Sequence, residues 1–302
     1  MTQDLPRAGA VRAYPAPDAA AVRELLLDWC GADPEDADDA VRALGALDAD
    51  ARELGDRLYQ SIAGDMGGKK WLPWPKPPAD HPLASLFPVL AAVPDMLAFH
   101  AERGIDEDLS RRLLGDVGEK LRLNRRLYGR AGLDVAHWFT GHVRGSLFQL
   151  GRLQFCVEGP DPKPFAGLHI RGEGGPLTLD AVRDSVEWAL EFLPAVFPER
   201  YAGPEDLVFV CESWLLDPQL GDWLPEKSNI PGFAALFALE GEGDPGGNRS
   251  DLWRFVFARP EDVPVAELPQ DNTLQRSVLA GIKADVQWRN RFGRLDLARL
   301  GL

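Results

Sequence analysis

The side chains best suited to chemistry fall in two short segments of this 302-residue chain. The first is His169, followed by Ile170 and then by Arg171-Gly172-Glu173-Gly174-Gly175-Pro176. An imidazole titrates near neutrality, so His169 is a candidate general base. The glycines let the main chain approach an anion closely, and the loop runs into a helical pattern whose N-cap reads as Thr178. Free amides and the positive end of a helix dipole then meet at one point, where Arg171 can add a charge-assisted bond. Such a point suits a pyrophosphate, opposed in part by Glu173 and by an acidic surface.

The second segment is Cys211-Glu212-Ser213, at the end of the apolar run from Leu207 to Cys211. Cys211 has two readings: a small core residue among apolar neighbours, or a nucleophile activated by His169. Glu212 has two as well. Desolvation at the end of a buried strand would suit it to act as a base, and a carboxylate there also stabilises the first turn of a helix opening at Trp214. No GxSxG elbow surrounds Ser213, which reads as an N-cap.

Positioning these residues requires a sheet, and the sequence places it in the second half. From Asp18 to Tyr128 apolar residues recur at helical spacing, as in Val22, Leu25, Leu26 and Trp29. The Pro-rich stretch at 71–78 divides this region into two helical pairs because proline lacks an amide donor. Its Trp71 and Trp74 suit a loop that covers a cleft. The second pair spans 83–102 and 106–130 and carries Lys120, Arg122, Arg125, Arg126 and Arg130. These basic residues fit a solvated helix face, or a phosphate contact. The pattern changes near Gly132. The expectation is an α/β protein with a helical N-terminal domain over 1–132, then a mixed β-sheet domain with flanking helices over 133–302. Strands are expected at 146–157, 166–171, 207–211, 233–239 and 252–258, and helices at 179–197, 212–220 and 273–291.

Composition narrows the function. Lys and Arg number 33 against 47 Asp and Glu, a net charge of −14 that repels nucleic acid and anionic lipid. The stretch at 86–99 is broken by Pro88, Pro94 and Asp95 and is too short to span a bilayer. Three widely spaced cysteines, Cys30, Cys156 and Cys211, suit reduced thiols in the cytoplasm, and no zinc-type spacing implies a metal. An acidic surface favours a cationic acceptor such as an amine. The oligomeric state is not written in the sequence.

The order strand, Gly-rich loop, helix, strand resembles the GNAT acyltransferases, whose phosphate loop reads Arg/Gln-x-x-Gly-x-Gly/Ala. Arg171, Gly174 and Pro176 occupy its three motif positions, and the proline removes one amide donor. The segments Leu168-His-Ile170, Pro176-Leu-Thr178, Phe197-Pro198, Cys211 to Leu220, Leu224 to Ile230 and Leu268 to Arg276 resemble the two-domain bacterial acyltransferase family. That family joins a helical N-terminal domain to a GNAT-like C-terminal domain. The resemblance implies acyl transfer, most simply acetyl from acetyl-CoA, to an amine on a small molecule by direct attack. It implies that strands ending at Ile170 and Ser213 splay apart, that His169, Ile170, Cys211, Glu212 and Ser213 converge on the thioester, and that Ile170 to Gly175 hold the CoA diphosphate. Two other readings stay open. One is a silent binding protein whose loop is spoiled by Pro176, and the other is a Cys211-dependent thioesterase.

Overall fold

The computed structural model describes residues 13–68, 72, 74–133, 135–159, 164–244 and 249–302. Trp71, and parts of the loops expected around 159–164 and 241–250, therefore lie outside the described residues. The chain forms two compact units, 1–149 and 150–302.

The first unit is helical: α1 (Ala19–Glu24, continued by a π-helical turn to Trp29), α2 (Pro34–Ala46), α3 (Ala49–Ala63), α4 (Leu86–Ala91), α5 (Val93–Glu102), α6 (Glu107–Tyr128) and α7 (Phe139–Val143). Local chemistry sets the limits of α6. Asp106 caps it by accepting the Leu109 amide at 2.7 Å, and Gly129, at φ +66°, ends it in the left-handed region. Its buried stripe of Leu109, Leu113, Val117 and Leu121 follows the four-residue spacing of one helix face. The helix α7 packs on α4, α5 and α6, so this unit extends beyond the change of pattern at Gly132.

The remaining elements are β1 (Leu147–Leu150), β2 (Leu153–Glu158), β3 (Phe165–Ile170), α8 (Leu179–Val196), β4 (Phe209–Ser213), α9 (Leu220–Trp223), α10 (Asn229–Ala234), β5 (Phe237–Asp244), α11 (Arg249–Asp251), α12 (Thr273–Lys283), β6 (Asn290–Leu295) and α13 (Leu297–Leu300). The six strands form one mixed sheet in the order β1-β2-β3-β4-β6-β5. Its one parallel pair is β3 with β4, and parallel neighbours need a crossover, which α8 supplies. Phe155 and Phe209 meet edge to face at 5.5 Å in the core between strands and helix, alongside the fully buried Val182, Val186 and Leu193 of α8. Each such side chain contributes roughly 1.5–3 kcal/mol when removed from water. A second apolar cluster, centred on Trp253, includes Trp214, Leu220, Phe257, Leu279 and Trp288.

Five expected elements differ. The helix expected at 212–220 is instead the end of β4 followed by the 3₁₀ turn Trp214–Leu216, and α9 begins only at Leu220. The run at 146–157 is two strands parted by a turn at Gly151 and Arg152, with Gly151 at φ +66°. The strand expected at 233–239 begins only at Phe237, because Phe233 and Ala234 complete α10. Residues 252–256 form a π-helical turn rather than a strand. Burial there falls on Leu252, Trp253, Val256 and Phe257, a helical spacing that no alternating strand produces. The last helix stops at Lys283, and Asn290–Leu295 becomes β6, inserted between β4 and β5. Its sequence, Asn-Arg-Phe-Gly-Arg-Leu, lacks β-branched residues and carries no strand signal.

Candidate active site

The strands β3 and β4 lie side by side only briefly. Ala166 is opposite Phe209 and Gly167 opposite Val210, with the Ala166 amide donating to the Val208 carbonyl at 2.8 Å. Beyond these pairs no register joins the two strands among the described residues. Instead β3 stays paired with β2 until Ile170 meets Leu153, and β4 stays paired with β6 until Ser213 meets Arg291. Each strand follows its outer neighbour, and a gap opens at their carboxyl ends. Crevices of this kind are where open α/β sheets bind ligands.

Alternation along the strands sorts the expected residues. Gly167 and His169 share a face with Val210 and Glu212, whereas Leu168, Ile170, Cys211 and Ser213 belong to the opposite face. The structure thus brings His169 and Glu212 to one side of the gap and sets Cys211 on the other. The His169 Nε2 lies 3.7 Å from Glu158 Oε1, with the two side chains 30% and 20% exposed. Glu212 is exposed, so the burial expected for it is absent. Cys211 is 2% exposed, and burial, reinforced by the charge of Glu212, pushes its thiol up to about 12. A thiol so protonated is not a ready nucleophile. Ser213 caps the short 3₁₀ turn Trp214–Leu216, its hydroxyl accepting the Leu215 amide at 3.1 Å. Asp217, buried to 1%, accepts the backbone amides of Gln219 at 3.1 Å and Arg289 at 2.7 Å, tying this turn to the start of β6.

The loop from Arg171 to Pro176 leaves β3 at the end where the gap opens and enters α8. Thr178 caps that helix by accepting the Ala181 amide at 3.2 Å. The amides of Leu179 and Asp180 then have no carbonyl within the helix and point out of its first turn. Gly175 takes φ +84°, which side chains other than glycine adopt only with strain. Pro176 contributes no donor.

Sequence reasoning missed Arg152. The residue is 9% exposed, and its Nε donates to the Gly175 carbonyl at 2.8 Å. A Cβ at Gly174 would stand 2.7 Å from its Nη1, so a larger residue there would push the guanidinium aside. The Arg152 amide donates to Ser185 Oγ at 2.8 Å, which in turn donates to the Ala181 carbonyl at 2.7 Å. The β1–β2 turn is therefore clamped to both the Gly-rich loop and α8. The one available signal was Gly151-Arg152 itself, a glycine interrupting two strand-forming runs.

Of the basic residues expected on a solvated face, Arg126 and Arg130 are exposed, whereas Lys120, Arg122 and Arg125 are held by groups of their own unit. Lys120 Nζ donates at 2.9 Å to both Asp116 and Glu119; burial alone would lower its ammonium, yet these carboxylates hold it above its ordinary value. Arg125 donates to Glu35, Asp36 and Asp39 at 2.9, 2.6 and 2.5 Å, and Arg122 to the Gly31 carbonyl at 2.7 Å. These cations are engaged by groups of their own unit, which leaves the phosphate role to other residues. Among the described residues no cluster of three or more His, Cys, Asp or Glu side chains could hold a metal ion, and no helix is long and apolar enough to cross a membrane.

Comparison with known proteins bears on this geometry. Residues 21–145 match the N-acyltransferase N-terminal domain, and residues 147–295 match the GNAT-like C-terminal domain. Among solved structures, an acyltransferase in complex with decanoyl-CoA and teicoplanin is 34% identical, with a TM-score of 0.82 over 95% of this chain and 91% of that one. An acyltransferase mutant in complex with octanoyl-CoA is also 34% identical, with a TM-score of 0.83 over the same 95% and 91%. A third, in complex with CoA and 10C-teicoplanin, is 34% identical, with a TM-score of 0.79 over 96% and 91%. No curated protein matches.

Proposed function

The chain belongs to the two-domain acyltransferases that join an N-acyltransferase N-terminal domain to a GNAT-like C-terminal domain, and from that premise we propose that it transfers a medium-chain acyl group from acyl-CoA to the amino group of a glycopeptide. The enzyme is an acyl-CoA-dependent acyltransferase; donor length, acceptor and residue roles are the proposal. Decanoyl-CoA and teicoplanin on a relative covering nearly the whole chain support a longer donor and a larger acceptor than the acetyl group and small amine expected from sequence. The acidic chain, at net −14, suits a cationic acceptor. A cytoplasmic location suits three buried cysteines, none of them in a disulfide among the described residues.

The parting of β3 and β4 beyond Gly167 and Val210 carries this reading. Main-chain groups on the facing strand edges are no longer bonded to each other there, and they are placed to hold pantetheine and the thioester oxygen. The diphosphate sits on the loop from Ile170 to Gly175 and on the amides opening α8, with Arg171 as a charged contact. His169 takes a proton from the acceptor nitrogen as that nitrogen attacks the thioester carbonyl. The C–N bond forms, the C–S bond breaks, and the CoA thiolate leaves to collect a proton. Glu212, across the gap on the same face, attracts the ammonium form of the acceptor, which gives a first proton to solvent so that the neutral amine attacks; the proton His169 takes is the second. Cys211 forms no acyl-enzyme.

Release of free CoA thiol from decanoyl-CoA and acetyl-CoA, with teicoplanin as acceptor, tests the proposal. His169→Ala is expected to lower kcat by about 10²–10³ with the CD spectrum unchanged, the usual range for loss of a general base. Decanoyl-CoA is expected to outpace acetyl-CoA. A His169→Ala variant turning over at the wild-type rate would overturn the assignment of the base.

A further inference from the structure

Across the β2–β3 pair, Cys156 stands opposite Gly167, between the pairs Gln154–His169 and Glu158–Phe165. All six residues share a face, so a line from His169 to Glu158 passes over Gly167. The Glu158 carboxylate occupies the space where that residue would carry a side chain. A Cβ on Gly167 would lie 2.7 Å from Glu158 Oε1 and 3.3 Å from His169 Nε2. The carboxylate is anchored behind by its own backbone, since Arg200 Nη2 donates to the Glu158 carbonyl at 2.8 Å.

Resting on the reading of His169 as the base, we propose that Glu158 is a positioning residue: it orients the imidazole towards the acceptor and stabilises the imidazolium formed when His169 takes the proton. The other ionisable groups around His169 do not duplicate this charge. Cys156 on β2 is buried to 3%. On β4, Glu212 stands across the gap, beyond the last β3–β4 pair. Arg171 and Glu173 follow in the loop and carry opposite signs. Arg200 and Tyr201 are the remaining neighbours of Glu158: the Arg200 guanidinium donates to the Glu158 and Gly159 carbonyls, and Tyr201 is pushed up to about 12 by burial and is neutral. An opposite charge within about 4–6 Å favours the protonated ring, which strengthens the base and holds it in place.

The test combines two readouts on Glu158→Gln and Gly167→Ala, the second keeping both charges while its new methyl displaces the carboxylate. One is the titration of the His169 ring by NMR in the free protein, and the other is the acid limb of kcat/KM with decanoyl-CoA and teicoplanin. Glu158→Gln is expected to move both midpoints to lower pH and to lower kcat several-fold, with a smaller change of the same sign for Gly167→Ala. Midpoints unmoved in both variants would overturn the proposal, because a purely structural Glu158 changes stability alone. Failure of the base assignment is read separately: His169→Ala would then keep full turnover while the NMR shift persisted.

Discussion

Two histidine–carboxylate pairs in this protein look alike in sequence and differ in kind. In the helical unit, His142 Nε2 lies 3.1 Å from Asp116 Oδ2, and both side chains are fully buried. Asp116 also accepts the Trp138 indole N–H at 3.0 Å and the Lys120 ammonium at 2.9 Å. The cluster is closed, with its acceptors occupied by groups of its own fold. In the sheet unit, His169 and Glu158 are 3.7 Å apart and partly exposed, at the mouth of a gap between strands. Saturation and burial make a polar cluster structural, whereas exposure beside an unpaired strand edge makes it available to a substrate.

The comparison breaks most readily at Asp116. Its replacement by alanine removes one of the two carboxylates that hold the buried Lys120 ammonium and strands the Trp138 and His142 donors, and is expected to cost on the order of 3 kcal/mol in a denaturant titration. Loss of Glu158 in the exposed pair is expected to cost under about 1 kcal/mol by the same measurement. Equal losses at the two positions would erase the distinction.

Acid offers a second separation, through His100 of α5. Its Nδ1 meets Ser110 Oγ at 2.7 Å, and burial lowers its pKa to about 4. The unfolded chain binds this proton near pH 6.5 and the folded chain only near 4, so the contribution is complete above 6.5 and is lost as pH falls through that window. The loss reaches about 3 kcal/mol at most. Burial lowers His142 too, offset in part by Asp116. Stability measured between pH 7 and 4 should therefore fall in wild type, and a His100→Gln variant should lose most of that slope.

A binding measurement sharpens the account of the Gly-rich loop. Arg152→Met keeps the packing stem but removes the guanidinium from Gly174 and Gly175. CoA binding by calorimetry should weaken about tenfold, the size of one charge-assisted bond, while pantetheine, which lacks the diphosphate, should bind unchanged. Equal weakening of both ligands would show that Arg152 supports only the fold.

Much of the fold was legible because its signals are local. The Thr178 cap, the amphipathic α8 and the apolar run Leu207–Cys211 that leads into β4 declare themselves through spacing and residue type, as do the strands β2 and β3. The residues at 252–258 were not legible as a strand or a helix by hydrophobicity alone, since a short apolar run fits both. Strand β6 was hidden because its register comes from β4 and β5, far away in sequence. At the site, His169 and the Gly-rich loop stand out by type. Arg152, Glu158 and the glycine between Glu158 and His169 do not, because what matters is which side chains the sheet lays across one another. The environments of Cys211 and Glu212 were likewise set by strand alternation, which buried the first and exposed the second.

The central claim is that the gap between β3 and β4, with the loop leading into α8, receives CoA. Backbone amide NMR during titration with CoA tests it most directly. The amides of Gly172, Gly174, Gly175, Leu179 and Asp180 should shift together with one affinity, and pantetheine should leave them in place. Saturable CoA binding that moves other resonances while these five stay still would contradict it.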